Sequence, residues 1–178
     1  MPTEPDTKVH IRRFQPGDGT RIREIHEAAM GQTPEYRPDI PDEDLHAIEE
    51  HYLDGPGEFL VAVVDGTIAG MVAYTTPDEW KAQYLEIGDG TAELTRMRVD
   101  PAWQGNGIGS AIYRELRDRA ESAGYRRFVL DTGTENDTAR GFYEQCSFEC
   151  RREISVEYGD STLELALYAN TFGNQSEP

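Results

Sequence analysis

Residues 104–109 read Gln-Gly-Asn-Gly-Ile-Gly, three glycines in five positions, between an alternating apolar run and an amphipathic one. Glycine accepts φ > 0 and lets a ligand come close to the backbone, and a helix that begins there leaves its first N–H groups without intrahelical acceptors. Such a turn is suited to hold an anion, above all a phosphate. A P-loop would need Lys and Ser/Thr after the last glycine, and Ile108-Gly109-Ser110-Ala111 supplies no lysine. A dinucleotide turn would need a third glycine three residues after the second. Ser110 or Ile112 stands there, depending on the frame.

A third pattern, Gln/Arg-x-x-Gly-x-Gly/Ala, is matched by Gln104, Gly107 and Gly109. At this turn the chain resembles the GNAT superfamily of N-acetyltransferases, in which the same pattern holds the pyrophosphate of acetyl-CoA. Val99-Asp100-Pro101 is similar to the exit from the family's fourth strand. Asn136-Asp137-Thr138-Ala139-Arg140-Gly141-Phe142-Tyr143 is similar to its second cofactor segment, with Asn and Tyr seven residues apart. Residues 142–148 resemble the ending Leu/Phe-Tyr-Glu-x-x-Gly-Phe, except that Ser147 replaces the usual glycine, which puts the tightness of that turn in question. The resemblance covers roughly residues 9–168, and two spaced motifs together are far more specific than either alone.

The resemblance implies a fold and a cofactor site. The fold is a single α/β domain with a mixed, mostly antiparallel central sheet of about seven strands, splayed between the fourth and fifth and flanked by about four helices. Residues 1–8 would form a flexible N-terminus, 9–168 the acetyltransferase domain and 169–178 a C-terminal tail. Acetyl-CoA would be held by Gln104, Gly105, Asn106, Gly107, Ile108, Gly109 and Ser110. The main chain of Met97, Arg98 and Val99 would pair with the pantetheine arm, and the Asn136 amide would fix it. Family members are often dimers, so a homodimer is allowed.

Acetyl transfer to an amine needs a base, donors for the carbonyl oxygen and an acid for the departing thiolate. The resemblance makes Tyr143 the acid, since a phenol is protonated at neutral pH. Glu93, eleven residues before Gln104, resembles the family's base, which usually works through a water; Asp131, five residues before Asn136, is its rival. Each has a plainer reading: Tyr143 as a packing residue, Asn136 as a helix cap, the carboxylates as solvated groups. Arg114 and Arg140 are further candidates for the cofactor phosphates. The resemblance implies a primary amine, on a small molecule or a protein, as acceptor, and residues 31–44 and the aromatic connection around Trp80 would border it. Two other classes stay open: a non-catalytic acyl-CoA-binding or regulatory domain, and an acyltransferase using another acyl-CoA or a hydroxyl acceptor.

The elements that position these residues follow from periodicity. Residues 92–99 alternate as a strand, and Ile108, Ala111, Ile112, Leu116 and Ala120 form one helical stripe closed by Gly124. Residues 59–64 and 68–74 form a hairpin around Asp65-Gly66. A strand is expected at 9–14, a helix at 21–30 capped by Thr20, a second helix from Pro41 to about Leu53, and a strand at 127–131. A helix at 136–145 precedes two last strands, 149–158 and 162–168.

Composition fits this reading. The chain has 178 residues and a formal charge of −17, with 34 acidic against 17 basic residues, of which only Lys8 and Lys81 are lysine. Acidity with arginine in place of lysine resembles proteins of salt-loving organisms, in which a carboxylate surface stays hydrated while repulsion is screened over roughly 3 Å at about 1 M salt. It argues against nucleic acid or anionic membrane as partner. Residues 96–140 hold eight basic and seven acidic residues, so the expected phosphate-binding part is spared the acidity. No apolar run approaches the roughly 20 residues of a membrane helix, and a cytoplasmic location is expected. Cys146 and Cys150, four apart with no second pair, and the scattered histidines give no metal pattern, so no metal is expected.

Overall fold

In the computed structural model, which describes residues 8–34 and 36–172, the apolar runs around Asp65-Gly66 fold back as an antiparallel hairpin. Strand β2 (Glu58–Val64) pairs with β3 (Thr67–Thr75), and Asp65 and Gly66 both take positive φ, at 49° and 79°. Two left-handed residues match the twist of the flanking strands. Strand β1 (Val9–Arg13) adds outside β2, and β4 (Thr91–Val99) pairs antiparallel with β3. Strand β5 (Arg127–Gly133) runs parallel to β4, then come β6 (Glu149–Tyr158) and β7 (Ser161–Thr171), giving the order β1-β2-β3-β4-β5-β7-β6. This is the expected mixed, mostly antiparallel seven-stranded sheet.

Period-two alternation sends one set of side chains to each face. On one face Leu60, Val72, Leu94 and Phe128 pack against α2 (Ile108–Ser122), through Ile112, Leu116 and Ala120, and against α3 (Asp137–Gln145), through Tyr143. On the other, Phe59, Val61 and Met71 meet α1 (Gly19–Met30) and the segment after it, through Ile22, Ile25, Ile48 and Tyr52. That segment departs from the continuous helix expected after Pro41. It breaks into a 3-10 turn, Glu43–His46, and a π turn, Glu49–Leu53, because Ala47 leaves helical φ/ψ at −142° and 51°. Helix α1 also starts earlier than a Thr20 cap would allow, at Gly19, behind Asp18, which Arg12 grips at 2.7 and 3.0 Å.

The last strand runs past its expected end at 168. Strand β7 continues to Thr171, and the Phe172 ring lies 4.8 Å from that of Phe128 in the core. The expected flexible N-terminus, apart from Lys8, and the tail from Gly173 onward lie outside the described residues.

The sheet opens where the site must be. β4 and β5 pair only from Thr91 with Arg127 to Glu93 with Val129. Just beyond, the register against β3 slips between Met71 and Ala73, and Arg96 takes φ 56°, so β4 carries a bulge. A bulge bends its strand and sharpens its twist. A non-glycine residue tolerates this conformation only when its surroundings hold it. Here Arg96 is clamped through Asp44, at 2.6 and 2.9 Å, and Asp42, at 3.0 Å. The same clamp holds Asp44 off an α-helical path, and Tyr52 donates to it from below.

Candidate active site

The glycine turn sits at the mouth of this opening. Asp100 starts it, its carboxylate accepting from the Ala102 N–H at 2.9 Å and pairing with Arg21. Gly105 and Gly107 have φ 82° and 75°, and a Cβ on either would meet nothing within 4 Å. Their conformation requires glycine, while the space above them stays clear for a ligand. Gly109 has a different reason: a Cβ there would lie 3.2 Å from the Phe142 ring, so it lets α2 pack closely on α3. Gly107 is the left-handed N-cap of α2, and the Ala111 N–H is the first to bond back to it, at 3.1 Å. The N–H groups of Ile108, Gly109 and Ser110 are left as the donors of a helix start.

Gln104 and Asn106 use their side chains on the turn itself. The Gln104 amide donates to the Val99 carbonyl at 3.2 Å, and that of Asn106 to the Trp103 carbonyl at 2.9 Å. The Asp100 N–H bonds to Ala69 on β3, so alternation turns the main-chain groups of Arg98 toward β3 and those of Met97 and Val99 toward the gap. The Met97 and Val99 carbonyls are held by the Arg98 guanidinium, at 2.8 Å, and Gln104. Met97 and Val99 thus form one edge of the gap between β4 and β5, whereas Arg98, expected beside them, turns its main chain to β3 and does not face the gap.

The two candidate bases are brought together, by a residue that sequence reasoning passed over. Glu93 on β4 and Asp131 on β5 face the side opposite Leu94 and Phe128, and Lys81 stands between them. Its Nζ lies 2.6 Å from Glu93 Oε1 and 2.6 Å from Asp131 Oδ1. Lys81 comes from a 3-10 turn, Glu79–Gln83, in the β3–β4 connection, where no periodicity marks it. Its side chain is 1 % exposed, against 9 % for Glu93 and 32 % for Asp131. The second Glu93 oxygen accepts the Asp78 N–H at 2.8 Å. Burial lifts the Glu93 carboxyl above the ordinary glutamate range, with Lys81 opposing, while the two carboxylates hold the Lys81 ammonium above the usual lysine range against its own burial.

Tyr143 is buried in α3, its ring 5.5, 5.6 and 6.3 Å from those of Phe142, Phe148 and Tyr168. Asn136 caps α3, its side-chain oxygen accepting the Ala139 N–H at 3.1 Å. Arg140 is engaged within the protein, by the Thr134 carbonyl, the Tyr168 hydroxyl and Glu153 at 2.9, 3.0 and 2.8 Å, so it braces α3 against β6 and β7. Arg114 is exposed on α2.

A glycine turn beside a splayed strand edge is the layout that the sequence motifs predict for an acyltransferase. The acetyltransferase (GNAT) family matches the chain over residues 22–148, and the protein belongs to that family. Among curated relatives it is 36 % identical over 106 residues to human N-acetylaspartate synthetase, covering 59 % of this chain and 32 % of that one. It is 33 % identical over 156 residues to mycothiol acetyltransferase of Cellulomonas flavigena, covering 85 % of this chain and 43 % of that one. The chain therefore spans less than half the length of either relative. The fold matches an N-acetyltransferase from Staphylococcus aureus with a TM-score of 0.74 at 23 % identity, over 92 % of this chain and 98 % of that one. It also matches yncA of Salmonella typhimurium, solved with its cofactor acetyl-CoA, with a TM-score of 0.74 at 21 % identity over 96 % and 97 % of the two chains.

Proposed function

We propose that the protein transfers an acetyl group from acetyl-CoA to a primary amine, by direct attack in a ternary complex. The observation that carries this reading is the alignment along β4 of the glycine turn, the unpaired strand edge and the two carboxylates. Helix-start amides suited to a pyrophosphate lead along the gap-facing edge of β4 to a pair of carboxylates at its end. The pyrophosphate sits on the N–H groups from Gly105 to Ser110, braced by Gln104 and Asn106. The pantetheine pairs with Met97 and Val99 as a substitute strand. Capping by the Asn136 oxygen leaves its Nδ2 for the cofactor arm.

Glu93 is the base, through a water. Each of its oxygens has one bond from the protein and room for another, and its raised affinity for a proton suits the task. Asp131, more exposed, steers the cationic amine. As the amine nitrogen bonds to the thioester carbon, a gap-facing amide of β4 receives the charge on oxygen, the C–S bond breaks and the Tyr143 phenol protonates the thiolate. The acidic, lysine-poor composition supports a saline, intracellular setting.

Free thiol release from acetyl-CoA is measured with a panel of amines in several molar KCl. Turnover that depends on an amine is expected. Binding of acetyl-CoA without turnover on any amine would instead make this an acyl-CoA-binding domain, and preference for propionyl- or succinyl-CoA would change the acyl group.

A further inference from the structure

Glu93 and Asp131 are on strands that share no backbone pairing beyond Glu93 and Val129. What joins them is the Lys81 ammonium, so their engaged oxygens lie no farther apart than twice 2.6 Å. Without a cation between them, two carboxylates that close repel each other, and the repulsion makes the more buried one, Glu93, hold its proton to higher pH. The groups facing Lys81 are Glu93 from β4, Asp131 from β5, and from its own turn Asp78, at 3.7 Å, with the Trp80 ring 4.3 Å from Nζ. Asp78 also fixes Glu93 from the main chain. The cluster thus contains one cation among three carboxylates, and the cation is its most buried member.

We infer that Lys81 is a positioning residue for the reaction: it ties Glu93 to Asp131 across the splayed strands and holds Glu93 ionised at a pH where, beside Asp131 alone, it would keep its proton. This rests on the reading of Glu93 as base. Lys81 itself neither receives the acceptor's proton nor touches the thioester. It sets the orientation of the Glu93 oxygen and the pH at which that oxygen is free to accept. Its burial fits the role, because an ammonium screened from water acts strongly on the carboxylates beside it.

The test is the pH dependence of kcat/KM with the best amine of the panel, for the unaltered protein, Lys81→Met, Lys81→Gln and Glu93→Gln. Loss of the ammonium is expected to move the acidic limb upward by about one pH unit or more, a roughly tenfold loss of rate at pH values below it. Well above the new limb the pH-dependent part of the loss is recovered, and only the part due to orientation remains. Glu93→Gln removes the limb altogether; a limb that persists in Glu93→Gln overturns the base reading. A limb lost in Glu93→Gln but unmoved in both Lys81 variants overturns the role of Lys81 and leaves the base in place. Should the Lys81 variants not fold, carbon NMR of the lysine ε-methylenes decides the point in the otherwise native chain, since Lys8 is the only other lysine. The Lys81 signal is expected to inflect at the pH of the kinetic limb and to lose that inflection in Glu93→Gln. A flat signal, or one unchanged by Glu93→Gln, refutes the coupling.

Discussion

Ser147 stands where the resemblance calls for glycine, and it occupies the left-handed region with φ 70°. Around it the Phe148 N–H bonds to the Tyr143 carbonyl at 3.0 Å and the Ser147 N–H to the Glu144 carbonyl at 3.1 Å. These are the two bonds of a Schellman ending, and the ring contact between Phe148 and Tyr143, at 5.6 Å, is its hydrophobic partner. A left-handed conformation costs a side-chain-bearing residue roughly 1–2 kcal/mol. Glycine removes that strain but loses more chain entropy on folding, about 0.5–1 kcal/mol. The Ser147 side chain is exposed, so its removal adds little. Ser147→Gly is therefore expected to stabilise the protein by about 0.5–1 kcal/mol, a rise in Tm of roughly 1–4 °C for a chain of this size. Ser147→Val, β-branched at the same φ, should lower Tm. Thermal and urea unfolding at fixed salt read both. A lower Tm for Ser147→Gly, or equal values for glycine and valine, would refute the backbone argument.

Two further outcomes follow from buried groups. His26 is buried, bonds through Nε2 to Asp42 at 2.9 Å, and has no partner at Nδ1 among the described residues; burial first, then Arg98, pushes its pKa down to about 4. The unfolded chain then binds the extra proton between pH 6.5 and 4, so this contribution is complete above that window and lost as pH falls through it. Urea unfolding should give about 2 kcal/mol less stability at pH 5 than at pH 7 from this residue, a difference that His26→Gln removes; an unchanged difference would contradict it. Tyr143→Phe should lower kcat while leaving coenzyme A affinity nearly unchanged, read by steady-state kinetics beside calorimetry, and equal loss in both would argue that the ring packs and does not donate.

Much of the site is legible in the sequence because it depends on local rules. Gly105 and Gly107 are there for backbone conformation and Gly109 for close packing, and each leaves its mark in the spacing of the turn. The strand before it shows in the alternation of Ala92 and Leu94, which also places Glu93 on the other face. Lys81 was not legible, because a 3-10 turn has no stripe to reveal which side is buried. Its only trace is rarity: one of two lysines in an arginine-rich chain, beside a tryptophan. The bulge at Arg96 and the broken helix over residues 43–53 were hidden for a shared reason. Both are held by the long-range clamp of Arg96 on Asp42 and Asp44, more than fifty residues away in the chain, whereas local propensity alone favours a regular strand and a regular helix. Likewise, β7 outlasts its expected end at 168 because Asn170 and Phe172 are anchored from α2, α3 and β5, through Tyr113, Cys146 and Phe128.

The central claim is that the helix-start amides of the glycine turn seat the phosphates of coenzyme A. Titration calorimetry of the folded protein with coenzyme A in concentrated KCl tests it directly, alongside Gly107→Asp, which places a carboxylate at the proposed seat and a side chain at φ 75°. One site per chain is predicted, with affinity at least about tenfold weaker in Gly107→Asp, ~1.4 kcal/mol. No uptake by the folded protein, or equal affinity in the two, would contradict it.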